Sequence, residues 1–206
     1  MSQRREAAGE RATDLAAETG ATAVSVPEAV RGVDLVVVTI PEKNILSLPD
    51  GLFAHTPDHV VVVDTGNYYP RQRDGRIEAI EAGLPESQWV AQQLGMPVIK
   101  AFNNIYARHL LELGRPKGTI GRIALPVSGD DEAAKAIVLK LVDELGFDAV
   151  DAGGLQESWR QQPGTPVYTK DFDAEGVRRA LSEAKKERTP EWRSTENSPG
   201  SFAAPA

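Results

Sequence analysis

The sequence predicts an α/β fold built on a doubly wound, mainly parallel sheet, and three observations carry that prediction. Strand-like and helix-like segments alternate along the chain. The two strongest strand segments, "DLVVVTI" (34–40) and "HVVVVDT" (59–65), are unbroken apolar runs, the pattern of strands covered on both faces. Right-handed crossovers bring the C-terminal ends of such strands to one edge, where ligands bind. The triplets at those ends are Thr39-Ile40-Pro41, Thr65-Gly66-Asn67 and Ala101-Phe102-Asn103.

Each element has its own signal. Residues 6–19, "EAAGERATDLAAET", favour a helix ending at Gly20, and "TAVSV" (22–26) reads as a short strand. "PEAVRG" (27–32) makes one helical turn between Pro and Gly. After the first strong strand, "PEKNILSLPDGLFAH" (41–55) is a weak, interrupted helix. The connection 66–85 is long enough to mark a functional loop. "ESQWVAQQLG" (86–95) forms a helix closed by Gly95. "PVIKAF" (97–102) is a third strand, and "NNIYARHLLELG" (103–114) is a helix capped by Asn103 or Asn104. "GRIALPVSG" (121–129) is a fourth strand. "DDEAAKAIVLKLVDELG" (130–146) is the clearest helix: Asp130 and Asp131 favour its N-terminus, and Ile137, Leu141 and Leu145 share one face. "FDAVDAGG" (147–154) is a fifth strand and "DFDAEGVRRALSEAKKE" (171–187) an amphipathic helix. The polar, Pro-rich residues 188–206 read as a disordered tail.

Composition excludes several chemistries. A net charge of −7 argues against binding nucleic-acid phosphates. With no cysteine there are no disulfides, thiol nucleophiles or thiolate metal sites, which suits a cytoplasmic protein. No apolar run approaches a membrane span. His55, His59 and His109 read as solvated or structural residues, and no metal site is expected.

A nucleotide-binding Rossmann domain opens with a strand, a Gly-rich loop, a helix and a second strand. None of the 18 glycines falls in a G-x-G-x-x-G pattern, and the nearest spacing, Gly118 to Gly121, lacks the flanking strand and helix. The expectation is that these first elements lie upstream of Met1. The sheet would then expose apolar faces of Val36, Val38 and Val61. Residues 1–187 form a truncated dinucleotide-binding domain with a short C-terminal extension on this reading. Ser2, Arg4 and Arg5 precede the first helix, where guanidinium forks select the 2′-phosphate of NADP.

The segments "VTIPEKNI", "VVVDTGNYYPRQRDGRI", "VIKAFNNIYARHLLELG", "ALPVSGDDEAAKAIVLKLVDELGFDAVDAGGL" and "SWRQQPGTPVY" together resemble the NADP oxidoreductases related to the deazaflavin-dependent NADPH oxidoreductase. The resemblance covers about residues 1–185. It implies hydride exchange between NADP and a deazaflavin, flavin or other acceptor, with a small-molecule substrate and room for a homodimer. It makes Ser2, Arg4 and Arg5 the counterpart of a Ser-Arg segment after the second strand. The family's Gly-rich loop has no counterpart, so inactivity through truncation is one expectation. A non-catalytic α/β module that pairs with a full-length relative is the alternative. A dehydrogenase of the hydroxyisobutyrate type would need a large helical second domain, for which the chain after "VIKAF" leaves no room.

Cofactors carry the chemistry of hydride transfer and the protein fixes their stacking, so no catalytic dyad is required. Tyr68 and Tyr69 could stack on a ring, and Arg71, Arg73 and Arg76 on the same loop could meet an anionic substrate tail. The resemblance puts Trp159, Arg160 and Tyr168, around a Pro-Gly turn, near the substrate side, with a packing or dimer role as the alternative.

Overall fold

Val61–Asp64 (β2) is the centre of the sheet, and all four of its residues are buried. It pairs in parallel with Leu35–Val38 (β1) through Leu35↔Val61 to Val38↔Asp64. On its other side it pairs in parallel with Ile99–Lys100 (β3). Ala124–Val127 (β4) and Asp148–Asp151 (β5) form a second parallel pair. The two sheets meet at an antiparallel bridge between Lys100 and Ser128, closed by reciprocal backbone bonds of 2.8 and 3.0 Å. The fold is thus α/β and Rossmann-like, with the parallel order β1-β2-β3. The computed structural model describes residues 12–187.

Helices fill the crossovers. Residues 12–19 (α1) and Val26–Ala29 (α2) precede β1. Glu42–Ile45 (α3) follows β1, and Glu78–Glu81 (α4) and Glu86–Leu94 (α5) join β2 to β3. Gly95 ends α5 in the left-handed conformation, with φ 68°. Ala107–Glu112 (α6) follows β3. Glu132–Glu144 (α7) joins β4 to β5, with Asp131 at its N-cap accepting from the Ala133 and Ala134 amides. Ala174–Glu183 (α8) closes the described chain, capped by Asp173. Between β5 and α8 the segment Leu155–Gln161 is a 3-10 helix.

The core lies on both faces of the first sheet. Val38, Val62, Tyr68, Ile80, Trp89 and Val90 pack on one face. Val61, Val63, Ile99, Val138, Val142 and Phe147 pack on the other. A third cluster, with Ala124, Val150, Val167, Val177 and Leu181, joins α8 to the second sheet. Arg122, almost fully buried, ties the second sheet to the end of α7, reaching Asp143 at 2.8 Å and Asp148 at 2.7 Å.

Several expectations need correction. Residues 22–26 form no strand: this stretch is exposed, pairs with no strand among the described residues, and its end starts α2. The apolar run of β1 is not covered on both faces, because Val37 is 46% exposed while Val38 and Val61 are buried and Val36 is half-buried. Asn103 and Asn104 cap no helix; α6 starts after Tyr106, because the Asn103 side chain is committed to tertiary hydrogen bonds. On α7 the core-facing residues are Val138 and Val142. Ile137 and Leu145 are about half-exposed. Asp130 does not cap α7 either: its carboxylate accepts from the Leu155 amide at 2.8 Å. The expected tail at 188–206 lies outside the described residues.

Candidate functional site

A cavity of about 740 Å³ opens at the C-terminal ends of β1, β2 and β3. Thr39, Thr65 and Asn67 line it from the first two strand ends, and Phe102 and Asn103 from the third. Tyr69, Tyr106, Tyr168 and Thr169 add polar and aromatic walls; Val37, Leu110, Leu141 and Leu145 add an apolar one. None of its lining residues is charged. The exposed valine of β1 and the half-exposed Leu145 of α7 therefore share one surface.

Backbone strain marks the same place. Among the described residues, only two non-glycine residues have positive φ, Phe102 at 62° and Thr169 at 57°. Both line the cavity. A bulky residue held in that region costs on the order of 1–3 kcal/mol and persists where the surroundings over-determine it, which is typical of ligand clamps.

The surroundings here are a hydrogen-bonded net. The Asn67 side-chain amide donates to the Asn103 carbonyl at 3.0 Å, and Asn103 Nδ2 donates back to Asn67 Oδ1 at 3.1 Å. Asn103 Nδ2 also donates to the Gln161 carbonyl at 2.7 Å, and Gln161 Nε2 to Asn103 Oδ1 at 3.1 Å. Ser128 Oγ donates to Gln161 Oε1 at 3.1 Å. Across the cavity the Thr169 amide donates to the Asn104 carbonyl at 2.8 Å. The 3-10 segment is thereby stitched to the end of β3, and Phe102 is fixed between the two.

Beneath the strand ends sits a buried ionic cluster that the sequence reading missed. Lys100 Nζ lies 3.1 Å from Asp64 Oδ2 and donates to the Gly66 carbonyl at 2.5 Å. Asp64 accepts from the Gly66 amide at 2.8 Å and from Ser87 Oγ at 2.6 Å. Burial alone would lower the Lys100 ammonium, but Asp64, Glu86 and Glu42 outweigh it and hold its pKa above the usual range. Glu42 is the reverse case. Burial, then the neighbouring Asp64, pushes its carboxyl well above the usual carboxylate range, and neither oxygen has a hydrogen-bond partner among the described residues. Gly66 separates the two carboxylates; a Cβ there would lie 2.5 Å from Glu42 Oε1 and 2.9 Å from Asp64 Oδ1.

The residues singled out from sequence thus divide. Thr39, Thr65, Asn67, Phe102, Asn103 and Tyr69 share the cavity. Ile40 packs against the core, Pro41 starts α3, Gly66 is held below by Lys100, and Ala101 is fully buried. Tyr68 stacks on no ligand surface: it is fully buried, its hydroxyl donating to the Gly75 carbonyl and accepting from the Ile77 amide, both at 2.9 Å. Arg71 lies on the π-helical turn Pro70–Asp74 and does not line the cavity. Arg73 turns back to Asp74 and the Asn67 carbonyl, and Arg76 pairs with Glu78. Of the three residues around the Pro-Gly turn, Tyr168 lines the cavity, whereas Trp159 lines a separate hollow of about 470 Å³ with Lys185 and Lys186. Ser2, Arg4 and Arg5 lie outside the described residues. Tyr106, Thr169, Leu141 and Leu145 were missed as site residues. The two leucines carried only a helix-face signal, which cannot distinguish a core from a cavity wall.

Comparison with known proteins gives a family match over part of the chain and a fold match over more of it. Residues 4–68 match the model of the family described as NADP oxidoreductase, coenzyme F420-dependent. A 71-residue stretch is 48% identical to the protein YjhV of Escherichia coli (strain K12), taking in 34% of this chain and 52% of YjhV. The chain thus spans about half the length of the curated relative that it matches. Among solved structures, the protein SMa0349 of Sinorhizobium meliloti superposes with a TM-score of 0.64 at 25% identity, over 80% of this chain and 78% of that one. A protein of Arthrobacter sp. FB24, described as a candidate F420-dependent NADP reductase, superposes with a TM-score of 0.52 at 23% identity, over 66% of this chain and 62% of that one, and shows the shared fold. Over residues 4–68 the chain is therefore similar to the F420-dependent NADP oxidoreductase family, the family that its own motifs resemble.

Proposed function

We propose that the protein is an NADP-linked oxidoreductase of the F420-dependent type, and that the cavity at the strand ends receives a redox-active ring. The carrying observation is that both strained non-glycine residues, Phe102 and Thr169, line this one cavity. Its uncharged, aromatic-rich wall fits a flat ring such as a nicotinamide or a deazaflavin. It does not fit a diphosphate, for it offers no cation, and the sequence has no Gly-rich cradle. The charged part of a dinucleotide lies outside the cavity on this reading, with Ser2, Arg4 and Arg5 as the residues that read its 2′-phosphate.

Bound cofactors would supply the hydride chemistry. The chain's own residues hold and shield. Val37, Leu141 and Leu145 exclude water from one face of the ring. Phe102, fixed by the Asn67–Asn103–Gln161 net, sets another part of the wall. Such fixed positioning is the protein's share in a reaction without protein acid-base steps.

The test is fluorescence titration of the protein with NADPH and with 5-deazariboflavin. Saturable binding of either, lost on placing a charge at Val37, supports the reading. Absence of binding for both overturns it.

The alternative, a non-catalytic module pairing with another chain, is favoured by the position of β1 at the sheet edge among the described residues and by the exposed Val37. It predicts a stable dimer in solution and no ring binding.

A further inference from the structure

Two hydroxyls face each other on the cavity wall. Tyr69 and Tyr168, far apart in sequence, are hydrogen-bonded through their phenol oxygens, and both line the cavity. The Arg73 guanidinium lies over the Tyr69 ring, 5.3 Å from its centroid, on the turn that also carries Asp74. Tyr168 is anchored from the other side, because the next residue is the strained Thr169, tied to Asn104.

One hydrogen bond between two hydroxyls uses one hydrogen. The accepting phenol keeps its own hydrogen free. We infer that the Tyr69–Tyr168 pair makes the site selective for a planar ring with a carbonyl oxygen at its edge: Tyr168 donates to Tyr69, and Tyr69 donates to that oxygen. This inference rests on the cavity being the ring site proposed above.

Three features support this selectivity. A cation over a phenol ring makes its hydroxyl the stronger donor, so Tyr69 is suited to the ligand. Burial raises the pKa of both phenols, so both keep their hydrogens at neutral pH. No lining residue is charged, so a neutral acceptor loses less on leaving water than an anion would. A nicotinamide carboxamide and a deazaflavin dione both carry such an oxygen.

The experiment uses three probes with the full chain: 5-deazariboflavin, reduced nicotinamide mononucleotide and pyrene, which has the flat ring without any acceptor. Tyr69→Phe weakens the carbonyl-bearing probe that binds by about tenfold, one hydrogen bond's worth. Tyr168→Phe weakens it by about threefold, since it only orients and polarises Tyr69. Pyrene binding changes less than twofold in either variant. Equal weakening of pyrene would reduce the pair to packing and overturn the inference, as would an unchanged carbonyl probe in Tyr69→Phe. Pyrene binding to the native protein with neither carbonyl probe binding also overturns it, but leaves an apolar cavity. Failure of all three probes overturns the ring site itself. Which of the two carbonyl probes binds identifies the ring.

Discussion

Lys100 and Asp64 form an ion pair of 3.1 Å with both side chains essentially out of solvent, and between them they grip the backbone of Gly66 on both its polar groups. Strand ends are usually fixed by backbone pairing. Here β3 is two residues long, and the side-chain clamp takes over where the ladder stops. Asn67, the next residue, enters the cavity wall. The clamp therefore couples the buried end of β2 to the candidate site.

Replacing Lys100 by Met leaves Asp64 buried beside Glu42 and Glu86 with no cation. Breaking one half of a buried pair costs about 3–5 kcal/mol. Urea unfolding of Lys100→Met should show a loss of that order, and a loss below about 1 kcal/mol would mean that the pair is dispensable.

Glu42 makes stability depend on pH. Its folded pKa is raised, first by burial and then by Asp64, so the folded state prefers the protonated acid. The sign follows: stability is full below about pH 4.3, the unfolded value, and falls as pH rises toward the raised folded value, by at most about 1.4 kcal/mol per pH unit. Glu42→Gln mimics the neutral form. Its melting temperature should exceed that of the native protein at pH 8 by more than it does at pH 5. Parallel pH profiles for the two proteins would exclude a buried acid that titrates.

Asn103 holds the net that fixes Phe102. Removing its side chain with Asn103→Ala strips Asn67 Oδ1 and the Gln161 carbonyl of their donor. The expected cost is about 1–3 kcal/mol in chemical denaturation. Binding of 5-deazariboflavin should weaken as well. Intact stability would show that water replaces the amide.

Val37 stands half-exposed on β1 with its side chain at the cavity. Val37→Glu should cost under about 1 kcal/mol, since little burial is lost. Ring binding should nevertheless vanish, because the carboxylate fills an apolar wall. A strongly destabilised variant would show instead that the wall is core.

Arg4 and Arg5 test the phosphate reading separately. Substituting both by Ala should lower affinity for NADPH while leaving that for NADH unchanged, measured by paired titrations. Equal losses for the two nucleotides would remove any role in selecting the 2′-phosphate.

The sequence by itself determined the order of the five strands and the main helices between them, because apolar runs are local signals; the strand expected at 22–26 was the exception. It also determined that the ends of β1, β2 and β3 face one edge, because parallel strands with right-handed crossovers leave no other choice. Thr39, Thr65, Asn67, Phe102 and Asn103 were legible for that reason. Only the tertiary structure decided which neighbours of those residues point the same way. Tyr69 and not Tyr68 reaches the cavity, since consecutive side chains in extended backbone face opposite sides. Leu141 and Leu145 line the cavity while Val138 and Val142 fill the core, although all four belong to one helix and its C-cap. Tyr106, Tyr168 and Thr169 arrive from distant segments, and the Lys100–Asp64–Glu42 cluster joins three elements. Contacts of that kind depend on how elements pack in space, and no spacing along the chain encodes them.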